Sequence, residues 1–208
     1  MRKAAVELIG TFFLVLVIGL TVTAPGAGAL APLAIGAVLI AMIYAGGPIS
    51  GAHYNPAVTL AVWLRGKCDT QDVPPYIGAQ ILGAVLAATA LRFCKPHRVA
   101  NPMVLDVVPA LLVELLFTFA LAFVVLQVAT SKKSAGNHYF GLAIGLTVLA
   151  GAYAAGSITG GVFNPAVAIG ISWMGLSSWS DLWVFLAANF AGGALAAYAF
   201  RFINAEKS

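Results

Sequence analysis

Six apolar stretches dominate the sequence, and each is long enough to cross a lipid bilayer. They cover residues 4–23, 31–47, 75–93, 107–129, 139–156 and 180–202. A membrane-spanning helix needs about 20 mostly apolar residues, because the hydrocarbon core of a bilayer is about 30 Å thick. Only 9% of the 208 residues are charged, whereas soluble domains carry about 25%. The sequence therefore predicts an all-α membrane protein that is embedded in the lipid bilayer, and it excludes a soluble globule.

The composition excludes two further classes of protein. Disordered chains have low hydrophobicity and high net charge, but 61% of these residues are hydrophobic and the net charge is +4. Two cysteines are too few for a disulfide scaffold. The first apolar stretch follows two basic residues, as in a signal peptide, but it contains Glu7 and lacks a clear cleavage site. We therefore expect it to be retained as a transmembrane helix.

The basic residues between the spans predict the orientation. With six crossings, eight of the eleven Lys and Arg residues fall on the side of both termini: Arg2, Lys3, Arg65, Lys67, Lys132, Lys133, Arg201 and Lys207. The other three are Arg92, Lys95 and Arg98. Because cytoplasmic loops carry the excess of basic residues, both termini are expected in the cytoplasm, with the protein in the inner (cytoplasmic) membrane. The same explanation makes a nucleic-acid patch unnecessary, and no nucleic-acid partner is expected.

The second half of the sequence repeats the first. Asn55-Pro56-Ala57 recurs as Asn164-Pro165-Ala166, 109 residues later (164 − 55). The repeats cover about residues 4–93 and 107–202 of a single domain, residues 1–208. Each repeat contains three spans, and three is odd, so the two repeats must be inverted relative to each other. Inverted repeats place the functional site at their interface near the middle of the membrane.

Each repeat also contains an apolar segment that is too short to cross, residues 51–65 and 160–174. Apolar segments of about 10–14 residues are often re-entrant. Asn favours the N-cap of a helix and Pro its first turn, so we predict half-helices over residues 56–65 and 165–174. The Gly-rich stretches before them are expected to line a pore with their carbonyl groups, since non-helical backbone at this depth must be buried or face a wet cavity.

The two half-helices are expected to meet head to head at the middle of the membrane. Each helix N-terminus carries about half a positive charge, so the pair disfavours cations there. The side-chain amides of Asn55 and Asn164 offer N–H donors to the oxygen of a passing solute. The pattern therefore predicts a passive channel for uncharged molecules.

These motifs resemble the major intrinsic protein family, the aquaporins and aquaglyceroporins. The first motif reads Ser50-Gly51-Ala52-His53-Tyr54-Asn55-Pro56-Ala57-Val58-Thr59, and Glu7 with Gly10-Thr11-Phe12 and Glu114 with Thr118-Phe119 also match. The resemblance implies six transmembrane helices plus two re-entrant half-helices in an aquaporin-like inverted repeat, one pore per monomer and a homotetramer. It also implies that Glu7 and Glu114 support the loop carbonyls by hydrogen bonds. The residues expected to line or support the pore loops are Gly51, Ala52, His53, Gly160 and Val162.

One position departs from the family pattern. Members usually carry arginine directly after the second Asn-Pro-Ala, and here that residue is Val167. The resemblance places the other three positions of this selectivity filter, by distance from each motif, at Ile35, Ala152 and Gly161. The filter is therefore expected to be wide, apolar and uncharged.

The functional prediction is a channel for small neutral solutes such as glycerol or metalloid acids (arsenite or methylated arsenicals), together with water. A water-selective aquaporin with an unusual filter is the main alternative, and a closed, structural member of the family is another. An intramembrane enzyme using His53, Glu7 or Glu114 is a remote alternative, because no paired acid–base or metal-ligand spacing is present. No cofactor and no metal are expected.

Overall fold

A computed structural model describes residues 1–97 and 101–204. Two basic residues used in the orientation prediction, Arg98 and Lys207, lie outside the described residues. The described residues form eight α-helices: α1 (Arg2–Val22), α2 (Ala31–Ser50), α3 (Pro56–Leu64), α4 (Val73–Cys94), α5 (Val107–Val125), α6 (Phe140–Thr159), α7 (Pro165–Met174) and α8 (Leu182–Ile203).

Six of these helices are long and apolar enough to span a membrane, namely α1, α2, α4, α5, α6 and α8 in the described part of the chain. The other two, α3 and α7, contain only 9 and 10 residues. Each of these two begins at the proline of an Asn-Pro-Ala motif, with the asparagine as N-cap. The predicted fold of six spanning helices and two half-helices is therefore confirmed.

The helices α2 and α6 extend further than the sequence predicts. They end at Ser50 and Thr159, three residues past the predicted ends at 47 and 156. Both helices are then capped by a glycine in the left-handed region, Gly51 with φ 85° and Gly160 with φ 82°. Glycine adopts this conformation without the steric cost that a Cβ brings, so the glycine, and not the end of the apolar pattern, fixes the end of each helix.

The packing of the helices follows the repeat. Within each repeat the first helix packs against the last, α1 against α4 and α5 against α8. Across the repeats, α7 packs against α4 and α3 packs against α8. Each half-helix is thus held by the last helix of the other repeat, and α2 packs against α6 to join the two halves on the other side.

Two glycines at equivalent positions allow the first and last helices of each repeat to approach closely. A Cβ at Gly83 of α4 would lie 2.5 Å from the carbonyl oxygen of Leu8, and one at Gly192 of α8 would lie 2.6 Å from that of Leu115. Small residues at helix crossings replace a hydrophobic driving force in membranes by close van der Waals packing. These crossings set the distance between α1, which carries Glu7, and α4, and the distance between α5, which carries Glu114, and α8.

Candidate functional site

The two Asn-Pro-Ala motifs form the ends of the half-helices, as their sequence predicts. The Oδ1 atom of Asn55 accepts a hydrogen bond from the backbone N–H of Ala57 at 2.8 Å, and Oδ1 of Asn164 accepts one from Ala166 at 2.9 Å. Each asparagine therefore satisfies an otherwise unpaired amide in the first turn of its own helix.

The same two side chains also join the repeats to each other, a contact that the sequence does not predict. Nδ2 of Asn55 donates to the carbonyl oxygen of Phe163 at 2.8 Å, and Nδ2 of Asn164 donates to that of Tyr54 at 2.9 Å. The motifs therefore meet tip to tip. Since an amide nitrogen carries two hydrogens, one N–H of each asparagine remains for a solute.

The loops that precede the half-helices are held in an unusual backbone conformation. Ala52, Tyr54 and Phe163 have positive φ angles of 53°, 50° and 49°. Each non-glycine residue in the left-handed region costs about 1–3 kcal/mol and persists only where its surroundings enforce it. The N–H groups of Tyr54 and Phe163 donate to the two buried glutamates, and the N–H of Ala52 donates to Ser50 Oγ at 3.0 Å.

Glu7 is completely buried and accepts four hydrogen bonds. Its Oε1 atom accepts from Ser50 Oγ at 2.7 Å and from the backbone N–H of His53 at 2.9 Å. Its Oε2 atom accepts from the backbone N–H of Tyr54 at 2.6 Å and from Gln80 Nε2 at 2.8 Å. Four donors satisfy the acceptor capacity of one ionised carboxylate.

Glu114 makes the equivalent contacts in the second repeat. It accepts from Thr159 Oγ1 at 2.6 Å, from the backbone N–H groups of Val162 at 3.0 Å and Phe163 at 2.7 Å, and from Asn189 Nδ2 at 2.8 Å. In both repeats the carboxylate therefore binds loop N–H groups directly, whereas the sequence-based prediction placed its support at the loop carbonyls.

Two cavities follow one another through the molecule. The central cavity has a volume of about 330 Å³ and is lined by Asn55 and Asn164 among others. The mouth cavity, about 810 Å³, opens beside Lys3, on the side of the N-terminus. The cavities share two lining residues, His53 and Val125. Ala52, Gly160 and Val162 line the central cavity and Gly51 lines the mouth cavity, which places the predicted loop residues along both.

All four predicted filter positions lie on the central cavity: Ile35, Ala152, Gly161 and Val167. Ala152 and Gly161 are in close contact, because a Cβ on Gly161 would lie 2.8 Å from the Cα of Ala152. None of the described residues that line the central cavity carries a charged side chain. Much of the remaining lining is aliphatic, including Leu14, Ile18, Leu39, Ile43, Leu121, Ile144 and Val148.

The segment after the third spanning helix also reaches the central cavity, which the sequence does not predict. Asn101, Met103 and Leu105 line the cavity, and the backbone N–H of Met103 donates to the carbonyl oxygen of Leu176 at 3.1 Å. Nothing in the sequence marks these residues as pore-lining, because their position depends on how the loop folds back. Among the described residues no three His, Cys, Asp or Glu side chains come together as a metal site.

Comparison with known proteins agrees with this geometry. The sequence model of the major intrinsic protein family matches residues 30–200. Aquaporin NIP1-3 of Oryza sativa subsp. japonica is 36% identical over 98% of this chain and 74% of its own length. Glycerol uptake facilitator protein-like 6 of Lactiplantibacillus plantarum is 37% identical over 99% of this chain and 100% of its own length.

Among solved structures, the aquaglyceroporin from Plasmodium falciparum has the same fold, with a TM-score of 0.80 and 22% identity over 98% of this chain and 97% of that chain. The chain therefore belongs to the major intrinsic protein family, and it is a multi-pass membrane channel for small solutes and not an enzyme.

Proposed function

We propose that this channel is a wide, passive pore for small uncharged solutes such as glycerol and undissociated metalloid acids (arsenite or methylated arsenicals), and that it also conducts water. The observation that carries the proposal is the filter. Ile35, Ala152, Gly161 and Val167 line the central cavity with only small or aliphatic groups, and Val167 stands at the position where related channels usually carry an arginine.

The chemistry of the lumen favours solutes with both polar and apolar surface. Much of the lining is aliphatic, while the loops and the free N–H groups of Asn55 and Asn164 supply polar contacts. A solute with both carbon atoms and hydroxyl groups can contact the aliphatic side chains and accept hydrogen bonds from the N–H groups at the same time. An ion cannot, because no charged side chain replaces its hydration and the N-termini of α3 and α7 repel cations. The names of the bacterial relative and of the Plasmodium neighbour are consistent with glycerol as one solute.

Flux into liposomes tests the proposal. We expect vesicles that contain the protein to take up glycerol and arsenite faster than protein-free vesicles. Replacement of Val167 by Arg should lower glycerol flux by about tenfold, since a large cation then narrows the filter, and water flux should fall less. Val167→Leu is the matched control, because it adds bulk without charge and should reduce glycerol flux only modestly.

Two results would contradict the proposal. Glycerol and arsenite fluxes no faster than those of bare lipid exclude a wide pore, and rapid water flux without glycerol flux supports the alternative of a water-selective aquaporin. Glycerol flux that is unchanged in Val167→Arg would show that the constriction lies elsewhere.

The proposed setting is a homotetramer in the inner (cytoplasmic) membrane, with both termini in the cytoplasm and one pore in each copy of residues 1–208. In this arrangement the repeats, residues 4–93 and 107–202, enclose the pore, and the mouth cavity beside Lys3 faces the cytoplasm. The basic residues on that side support this orientation by the positive-inside rule.

A further inference from the structure

His53 lies where the two cavities meet, because it lines both the central cavity and the mouth cavity. Of the two described residues that do so, it is the one with a polar side chain. Its Nδ1 atom lies 3.1 Å from Thr59 Oγ1. Its Nε2 atom has no hydrogen-bond partner among the described residues, and the residue is part of the lining of both cavities. A neutral imidazole has one N–H donor and one bare acceptor nitrogen, so the proton position decides what a solute meets here.

The contacts of Thr59 decide which nitrogen carries the proton. Thr59 Oγ1 lies 3.0 Å from the carbonyl oxygen of Asn55, and a carbonyl oxygen only accepts. The single hydroxyl hydrogen of Thr59 must therefore point to Asn55. The contact with Nδ1 is then favourable only if Nδ1 carries a hydrogen and donates it to Thr59.

Gln80 reinforces this assignment. Its Nε2 atom lies 2.8 Å from Glu7 Oε2, which can only accept, and 3.0 Å from Thr59 Oγ1. Both hydrogens of the Gln80 amide are therefore donated, one to the carboxylate and one to the hydroxyl. Thr59 Oγ1 donates once and accepts twice, which uses its full capacity.

The second repeat lacks this arrangement, although it has the matching amide. Asn189, the equivalent of Gln80, donates to Glu114 at 2.8 Å and to Thr118 Oγ1 at 3.0 Å. The equivalent of Thr118 in the first repeat is Thr11, whose hydroxyl is buried and has no partner among the described residues. The longer Gln80 side chain thus leaves Thr11 unpaired and reaches Thr59.

The positions equivalent to His53 and Thr59 in the second repeat are Val162 and Ala168, 109 residues later. A buried hydroxyl without a partner is unfavourable, because it loses the hydrogen bonds that it makes with water in the unfolded chain. The first repeat therefore contains an unpaired hydroxyl, that of Thr11, whose equivalent in the second repeat is paired. In its place Gln80 donates a hydrogen bond to the Thr59 hydroxyl, which contacts His53.

We infer that Thr59 and Gln80 are positioning residues that fix His53 with its proton on Nδ1, so that the lumen meets a bare Nε2 acceptor between the two cavities. The inference rests on the proposed pore. A hydroxylated solute then passes from the N–H donors of Asn55 and Asn164 to a nitrogen acceptor, and its own O–H groups donate to Nε2. Donor and acceptor groups in sequence let such a solute exchange hydration for protein contacts in steps.

The ring tautomer can be measured directly by ¹⁵N NMR of the full chain, labelled with ¹⁵N-histidine, in lipid vesicles at neutral pH. Protonated and bare ring nitrogens have well-separated signals, and His53→Gln assigns the His53 signals by their loss. The expected result is a protonated Nδ1 and a bare Nε2. A protonated Nε2 with a bare Nδ1 in the unsubstituted protein overturns the inference, whatever the channel conducts.

Substitutions at Thr59 supply the second test. Thr59→Val removes the acceptor and should release the ring to exchange between tautomers, whereas Thr59→Ser keeps the hydroxyl and should restore the single tautomer. Thr118→Val, which removes the matching hydroxyl of the second repeat, should leave the His53 signals unchanged. A His53 tautomer that is the same in Thr59→Val as in the unsubstituted protein contradicts the role of Thr59.

Glycerol flux connects the tautomer to conduction. We expect Thr59→Val to lower glycerol flux several-fold and Thr59→Ser to recover it. If the tautomer changes without a change of flux, the ring is positioned as inferred but it does not act on the solute, and the inferred use of the acceptor is wrong. A pore that conducts no glycerol in any variant instead contradicts the proposed function and leaves the NMR result standing.

Discussion

Single carboxylates hold the strained loops of this pore in place. Glu114 is fully buried and accepts hydrogen bonds from two backbone N–H groups of the loop before α7. Both N–H groups are thereby bound to a buried carboxylate and are not available to a solute in the lumen. One side chain therefore holds the backbone of this loop in its conformation.

We predict that Glu114→Gln lowers the apparent melting temperature by several degrees. The amide of glutamine places an N–H where the carboxylate accepts, so one of the loop donors loses its acceptor, at a cost of about 1–3 kcal/mol. Thermal unfolding of the purified protein in detergent measures the effect. The control is Asp106→Asn, the same chemical change at an exposed carboxylate, which should leave the melting temperature within one degree or so. Equal melting temperatures for Glu114→Gln and the unsubstituted chain would contradict the supporting role.

Close crossings of α1 with α4, and of α5 with α8, hold the elements of each repeat together. At Gly83 an added Cβ would lie 2.5 Å from the backbone of Leu8, and backbone cannot move aside as a flexible side chain can. Gly78 is on the same helix, but an added Cβ there would meet nothing within 4 Å. The two positions separate helix propensity from helix packing.

We therefore predict opposite effects for two identical substitutions in α4. Gly83→Ala should reduce the melting temperature and the yield of monodisperse protein, because α1 and α4 must move apart. Gly78→Ala should be neutral or stabilising, since alanine favours a helix by about 1 kcal/mol over glycine. Size-exclusion profiles and thermal unfolding of both variants provide the measurement, and equal behaviour of the pair would rule out a tight crossing at Gly83.

Local sequence patterns predict the elements well where a short-range rule governs them. The Asn-Pro pairs give the starts of α3 and α7 to the residue, because N-cap chemistry acts within one turn. The bond from Asn55 to the carbonyl of Phe163 spans 108 positions, and no local rule contains it. The hydrogen bond from Gln80 to Thr59, and not to Thr11, is equally unpredictable from the sequence. It depends on the length of one side chain in the folded protein.

At the scale of the whole molecule, the direction of insertion follows from charge and not from shape. An inverted repeat looks similar from both sides of the membrane, so its packing does not favour one orientation. The basic residues break that symmetry. Two natural cysteines report on the result, because Cys68 precedes α4 and Cys94 is its last residue, which places them at opposite ends of one spanning helix.

We predict that a charged, membrane-impermeant maleimide labels Cys94 on intact cells and labels Cys68 only after permeabilisation. Cys94 is exposed and Cys68 is half-buried.

Burial, together with the carboxylates of Asp72 and Asp69, raises the pKa of the Cys68 thiol. Because the thiolate is the reactive form, labelling of Cys68 in permeabilised cells should be slow at neutral pH and should accelerate as the pH rises. Cys94→Ser and Cys68→Ser variants assign the two signals by mass spectrometry. Labelling of Cys68 in intact cells, with Cys94 protected, would reverse the orientation and place the mouth cavity beside Lys3 outside the cell.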